Sequence, residues 1–358
     1  MKNDESIKAL ISNAKSSIGE SFTVDEEMAL KEYHADESAR SGMAIKVLSI
    51  LGGFLAAQAF MGFLFSAGLY NSSIGLMLAG CFFIGGSIWL SKKSTALIFD
   101  TFCISAYLTG YFTLGLGLNE AHMNDQLIAL LFILIALATL FIIDHFIFTL
   151  IAVLVISGSC LFLIADGPYK DMIHAYIIIT SIGMTLWLKE EATIITSHTK
   201  WAGKYNAIRT GLVISLLAGL GFICKRGLFD ISPNYIWISS LGLIPLMMLV
   251  INKMRLTLGW LTNTDRILSF TIGLILLLPL LFSPAIIGAL LILIASYLVN
   301  YKTGFFLGII SLIYFTGQFY YDLEYSLLVK SGLLFSTGVL FMILFLLTHK
   351  KLVPDEKE

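Results

Sequence analysis

The sequence predicts an all-α, polytopic transmembrane helix bundle, and three observations lead to that fold class. Hydrophobic residues make up 57% of the 358 residues and charged residues only 13%, which is about half the charged share of a soluble globular protein. Apolar runs long enough to cross the hydrocarbon recur along the chain. Lysine and arginine concentrate in every second segment between these runs. We therefore expect the lipid bilayer to be the main surroundings of this protein.

The apolar runs predict twelve spans, and polar residues or proline mark the joints between them. The run 127–165 is too long for one span and is broken only by Asp144-His145, which predicts a tight turn there. Ser283-Pro284 divides the run 267–300 in the same way. The predicted spans are 45–69, 73–91, 95–118, 126–143, 146–165, 172–188, 208–224, 234–251, 267–282, 284–300, 303–320 and 326–348.

The cations predict the orientation, because short cytoplasmic loops retain lysine and arginine. With a cytoplasmic N-terminus, nineteen of the 23 cations fall in inner segments. The four others are Lys170, Lys225, Arg226 and Lys330. We therefore expect both termini on the cytoplasmic side.

Five segments describe the expected domain organisation. Residues 1–44 are polar and are predicted to form a cytoplasmic N-terminal helical segment, which lies on the membrane surface, packs on the inner loops or docks a partner. A cytoplasmic loop, 189–207, separates the first six spans from the last six, an arrangement that would suit a parallel repeat. The segments are 1–44, spans one to six in 45–188, the loop 189–207, spans seven to twelve in 208–348, and a cytoplasmic tail, 349–358.

Four polar residues inside the predicted spans are the candidate functional groups, because such groups are costly in hydrocarbon. Gln58 and Gln318 either line a polar pathway or hydrogen-bond across a helix interface. Asp100 shares a face with Cys103, Tyr107 and Tyr111 at helical spacing. Its carboxylate is either proton- or cation-linked, or is paired with Lys92 or Lys93 or bonded to a neighbouring helix. Lys330 either snorkels to the headgroups, pairs with Asp322 or Glu324, or binds a substrate.

Small residues four positions apart predict close helix packing. They are Gly53 and Ala57, Gly211, Ser215 and Gly219, and Gly304 and Gly308. The tryptophans lie near predicted span ends and are expected to anchor them at the interface.

Several functional classes find no support in the sequence. The net charge is −1, so no nucleic-acid partner is expected. The cysteines, Cys81, Cys103, Cys160 and Cys224, lie in or beside spans without disulfide or zinc spacing. An outer loop with Asn119, Glu120, His122 and Asp125 and a second with Asp166, Asp171 and His174 are expected to form a hydrated rim rather than a metal site. No P-loop, nucleophile elbow or zinc-protease motif occurs. We expect no enzyme activity and no cofactor.

The end of the sequence resembles a known family. Tyr320-Tyr321-Asp322-Leu323-Glu324 is followed by Leu327-Leu328-Val329-Lys330-Ser331 and later by Gly338. This pattern is similar to the closing motif of the bacterial membrane proteins grouped as domain of unknown function 4401, and of their relatives in the 2157 group. The resemblance implies a multi-pass protein of the bacterial inner membrane, and it implies no activity, substrate or cofactor.

Two functions therefore remain as expectations. The first is a membrane-embedded scaffold or partner subunit, whose partner is another membrane or periplasmic protein. The hairpin 303–348, which carries Tyr320, Tyr321, Asp322, Glu324, Lys330 and Ser331, is its most distinctive surface. The alternative is a secondary transporter or lipid-handling protein with a polar path near Gln58, Asp100 and Gln318.

Overall fold

The fold was established from a computed structural model. The structure describes residues 52, 54–56, 58–66, 68, 72–93, 97–191, 193–194, 199–224, 235–260 and 262–322, with five further positions at 328, 331, 335, 339 and 342. All regular structure in these ranges is helical. The helices are α1 Phe54–Ser66, α2 Ser73–Lys93, α3 Leu97–Glu120, α4 Asp125–Ile142, α5 Phe146–Asp166, α6 Ile173–Lys189, α7 Tyr205–Cys224, α8 Ile236–Thr257, α9 Asn263–Leu277, α10 Pro284–Leu298 and α11 Lys302–Asp322. A single helical turn, Thr199–Ala202, precedes α7.

Eight of these helices, α2 to α8 and α11, are long and apolar enough to cross a membrane. The all-α prediction is confirmed for the described residues, and the protein has the helices of a membrane protein. Helices α1, α9 and α10 are apolar but shorter. The predicted segment 1–44 and nearly all of the predicted span 326–348 lie outside the described residues. The count of twelve spans and the cytoplasmic position of the termini stay predictions.

The predicted joints coincide with helix ends. Helix α4 ends at Ile142 and α5 begins at Phe146, so Asp144-His145 forms the expected turn. Helix α10 begins at Pro284, where proline's fixed φ and missing N–H suit the first helical position. Helix α5 ends at Asp166, directly before Gly167. Polar residues and proline therefore set these boundaries within otherwise uninterrupted apolar sequence.

The chain divides into two compact units, of which the first comprises residues 1–128. Within it α2 and α3 pack closely along their length. Glycine allows this approach: a Cβ on Gly80 would lie 2.6 Å from the Leu114 backbone nitrogen, and one on Gly117 would lie 2.7 Å from the Met77 nitrogen. Met61 of α1 packs with Phe83 and Ala106. Close backbone contact thus stabilises this hairpin in surroundings where the hydrophobic effect cannot drive helix association.

The second unit comprises residues 129–358. Its main core is apolar and is built by α5, α6, α7, α8, α10 and α11. Helix α7 contacts α5, α6, α10 and α11, and α8 contacts α6, α9 and α10. Fully buried members of the core include Ile177, Leu216, Leu243 and Ile287.

The predicted small-residue stripe of α7 lies where α7 meets two neighbours. A Cβ on Gly211 would lie 2.7 Å from Val153 Cγ1 of α5, and a Cβ on Gly219 would lie 2.7 Å from the Tyr176 ring of α6. Ser215, between them, is buried. Gly308 of α11 likewise faces the Leu293 backbone of α10. These packing predictions are confirmed, whereas Gly53 and Ala57 lie outside the described residues.

Candidate functional site

A group of charged and aromatic side chains lies at one end of the second unit. It joins the α4–α5 turn, the end of α6, the start of α7 and the α10–α11 turn. We call it the cationic–aromatic junction, and it comprises Asp144, Trp187, Lys204, Tyr205, Arg209 and Tyr301.

Lys204 is the buried cation of the junction. Its side chain is only 6% exposed, and its Nζ lies 2.9 Å from Oδ1 of Asp144. Nζ also donates a hydrogen bond of 2.5 Å to the Leu140 carbonyl oxygen. That carbonyl belongs to the last turn of α4, where helix carbonyls lack intrahelical partners and a positive charge is favourable. Lys204 therefore caps α4 and offsets the cost of its own burial through a carboxylate and a carbonyl.

Arg209 is held between two tyrosine rings. Its Cζ lies 4.0 Å from the centroid of the Tyr301 ring and 5.2 Å from that of Tyr205, within range of a cation–π contact. Nη1 lies 3.5 Å from Oε1 of Glu191. Trp187 stacks on Tyr205 at a centroid distance of 6.1 Å. The guanidinium therefore joins the loop after α6 to the start of α7 and to the α10–α11 turn.

The local sequence explains how Tyr301 reaches Arg209. Asn300 follows the end of α10 with φ of 52°, a left-handed conformation that asparagine adopts more readily than most residues. The Tyr301 N–H then donates to the Ser296 carbonyl oxygen at 2.8 Å. The turn aims the Tyr301 hydroxyl at Thr210, whose Oγ1 lies 2.7 Å away.

Buried polar side chains join α6 to its neighbours at other levels. The Tyr176 hydroxyl is hydrogen-bonded to Ser157 of α5 and donates to the Ser215 carbonyl of α7 at 3.0 Å. His174 Nδ1 lies 2.7 Å from Ser239 Oγ of α8. His174 is only 2% exposed, so its predicted place in a hydrated rim is wrong. Asn119, Glu120, His122 and Asp125 are exposed, as the predicted rim requires, and their position on the outer side stays a prediction.

Comparison with protein families identifies the chain. Residues 43–351 match the family model described as Domain of unknown function (DUF4401), which is more than half of the sequence. The chain belongs to the DUF4401 family. No curated protein and no solved structure matches it. The resemblance inferred from the closing motif of this DUF4401 protein is thus confirmed, while the relation to the 2157 group stays a prediction.

The predicted intramembrane groups of the DUF4401 protein fall in different parts of the structure. Gln58 and Asp100 belong to the first unit and Gln318 to the second. Asp100 lies in the first turn of α3, and its side chain is outside the described residues. On the same helix Cys103, Tyr107 and Tyr111, which the spacing places on one face, are buried. The two tyrosine hydroxyls lie 3.1 Å apart.

Part of the predicted C-terminal surface is described. Tyr320 and Tyr321 end α11 with their rings edge to face at 5.9 Å, and Tyr321 is 79% exposed. Ser331 lies in helix, and its hydroxyl donates to the Leu328 carbonyl at 2.9 Å. The side chain of Asp322 and the whole of Glu324 and Lys330 lie outside the described residues. Their pairing stays a prediction.

A cavity of about 300 Å³ lies beside Gln58 in the first unit of the DUF4401 protein. Residues of α1 and α3 line it: Phe54, Gln58, Met61, Phe65, Ser105, Leu108, Thr109 and Phe112. The sequence singled out Gln58 but not Ser105 and Thr109. Their four-residue spacing, continued from Thr101 to Thr113, is the signal that could have identified them as one face of α3.

Proposed function

We propose that this DUF4401 protein is a multi-pass protein of the bacterial inner membrane that serves as a membrane-embedded scaffold or partner subunit. The observation that carries the proposal is the construction of the second unit. Its core is apolar through α5, α6, α7, α8, α10 and α11, and the buried side chains of His174 and Tyr176 are hydrogen-bonded to neighbouring helices within it.

This construction favours one fixed arrangement of helices. Glycines bring α7 against side chains of α5 and α6 and bring α11 against the backbone of α10. Hydrogen bonds join residues that are 39 and 91 positions apart in the chain. Alternating access in transporters instead needs groups of helices that move against each other around a central site. A rigid bundle suits a protein that presents a constant surface to a partner.

The surface proposed for the partner is the C-terminal hairpin around Tyr321. Its exposed aromatic side chain is typical of protein interfaces. By the predicted topology the end of α11 lies on the outer side, so another membrane or periplasmic protein is the expected partner. The predicted pairing of Lys330 with Asp322 or Glu324 would hold the two helices of this hairpin together.

Site-directed photocrosslinking tests the proposal. A photoreactive aromatic residue at position 321 is expected to give one discrete protein adduct in native membranes. Position 169 is the matched control, because Tyr169 is 74% exposed, close to the 79% of Tyr321, and lies on the same predicted side. Identical adducts at both positions, or none at position 321, would overturn the scaffold proposal.

Substitution of Lys330 adds a second readout. We expect Lys330→Ala to reduce the adduct at position 321 several-fold and Lys330→Arg, which keeps the positive charge, to reduce it less. Equal reduction by both would contradict the pairing. Proton-coupled uptake into proteoliposomes that is lost in Asp100→Asn would favour the secondary-transporter alternative instead.

A further inference from the structure

The cavity beside Gln58 carries an inference that is separate from the scaffold proposal. Its polar side chains are an amide, Gln58, and two hydroxyls, Ser105 and Thr109. Within the described part of the chain, none of these three side chains is hydrogen-bonded to another residue. Amides and hydroxyls at membrane depth are costly unless they find a partner. Three such groups around one space indicate that a ligand supplies the missing hydrogen bonds.

The rest of the lining indicates the class of that ligand. The five other lining residues are apolar, three of them phenylalanines, and none of the eight is charged. Phe54, Leu108 and Phe112 are exposed on the outside of the first unit. The cavity therefore continues into an apolar surface that suits a hydrocarbon chain.

The size of the cavity limits how much of the ligand it encloses. A volume of about 300 Å³ is at the lower end of the range for small-molecule sites. It accommodates a head group and the first part of a tail, so the remainder of the tail would lie in the bilayer. An uncharged head is favoured, because an ion here would face no opposite charge among the lining residues.

We propose that this cavity binds the head group of an uncharged membrane amphiphile, whose carbonyl or hydroxyl oxygens hydrogen-bond with Gln58, Ser105 and Thr109. A quinone head and a diacylglycerol head share this chemistry. Gln58 can donate to a carbonyl and accept from a hydroxyl, and the two hydroxyls can do the same. The apolar tail would follow Phe54 and Phe112.

Native mass spectrometry of the full chain, released from mild detergent, tests the site with three probes. Decylubiquinone and dioctanoylglycerol represent the two uncharged sources, and dioctanoyl phosphatidate is the anionic comparison. We expect one bound molecule of at least one uncharged probe at concentrations where phosphatidate does not bind. Whichever uncharged probe binds more tightly identifies the source. Absence of binding by both uncharged probes, or equal binding of phosphatidate, would overturn the proposal.

Substitutions of similar volume locate the binding. Gln58→Leu and Thr109→Val each remove hydrogen-bonding groups. We expect each substitution to lower the affinity for the probe by about three- to tenfold. Thr180→Val is the matched control, because Thr180 lies in the second unit with its hydroxyl bonded to its own helix. Unchanged affinity in Gln58→Leu and Thr109→Val, or an equal loss in Thr180→Val, would contradict the site. Crosslinking at position 321 is expected to be unaffected by these variants, so the two proposals fail separately.

Discussion

At the residue scale, Lys204 illustrates how one charge is accommodated in an apolar molecule. The ammonium group is almost fully buried, while its partner Asp144 is 68% exposed. The carboxylate thus remains partly hydrated. The Lys204 ammonium group donates a further hydrogen bond to the Leu140 carbonyl oxygen. The pair lies at the edge of the bundle, where the desolvation cost is smaller than it would be in the core.

Lys204→Met is the substitution that tests this arrangement. Methionine fills a similar volume but cannot donate to Asp144 or Leu140, so we expect the free energy of unfolding to fall by about 1–3 kcal/mol. The fall would appear as a lower midpoint of thermal unfolding in detergent. Lys302→Met, at the exposed start of α11, is the control and should leave the midpoint unchanged. An equal fall in both variants would show that Lys204 contributes nothing specific.

The partners of such residues could not be predicted from the sequence. Lys204 and Leu140 are 64 positions apart, and His174 and Ser239 are 65 positions apart. Local spacing indicates which residues share a face of one helix, but not which helix lies opposite. Gln58 was identified because an amide stands out in an apolar span. Ser105 and Thr109 were missed because hydroxyls commonly bond to their own helix and do not stand out.

At the element scale, glycine determines how closely α10 and α11 approach. A Cβ on Gly308 would lie 2.8 Å from Leu293 Cα, a backbone atom that cannot move independently of its helix. Gly317, on the same helix, has no atom within 4 Å of the corresponding position. The two glycines therefore provide a matched pair for the same substitution.

We expect Gly308→Ala to lower the free energy of unfolding by about 1–3 kcal/mol, because the two helices must separate to admit the methyl group. Gly317→Ala should leave stability unchanged or raise it slightly, since alanine is the better helix former. Thermal unfolding of the two purified variants measures the difference. A smaller loss in Gly308→Ala than in Gly317→Ala would contradict the observed packing.

The boundaries of the helices were largely predictable from the sequence, whereas the face that each helix buries was not. Pro284 and Asp144-His145 interrupt long apolar runs. Helix α10 begins at Pro284, and Asp144-His145 follows the end of α4. The stripe of Gly211, Ser215 and Gly219 also predicted a contact surface of α7. Most other spans are apolar on all sides, because both lipid and core are apolar surroundings. Their buried faces therefore leave no hydrophobic pattern in the sequence.

At the scale of the whole molecule, the junction places three connections at one end of the second unit. These are the α4–α5 turn, the segment between α6 and α7, and the α10–α11 turn. The distribution of lysine and arginine independently predicted that all three lie on the cytoplasmic side. Contacts between them agree with a shared side, and which side that is stays a prediction.

Cysteine labelling of intact cells tests the sidedness. Ala121 and Tyr169 lie in exposed connections that are predicted to face outward, and they are replaced by cysteine in two variants. Glu190, in an exposed connection that is predicted to face inward, is replaced by cysteine in a third. We expect a membrane-impermeant maleimide to label positions 121 and 169 in intact cells, and position 190 only after lysis. The unmodified chain, with its four native cysteines, gives the background. Labelling of position 190 in intact cells would show that the predicted orientation is the wrong way round.

The aromatic enclosure of Arg209 also sets an order of assembly. Tyr301 is synthesised 91 residues after Thr210, a delay of several seconds at about 5–20 residues per second. Helix α7 is completed early in that interval, but the Arg209 guanidinium then has only the Tyr205 ring and still lacks the Tyr301 ring. The α10–α11 turn therefore completes this contact late in synthesis, and a chain that ends before Asn300 lacks the Tyr301 ring against which the Arg209 guanidinium packs.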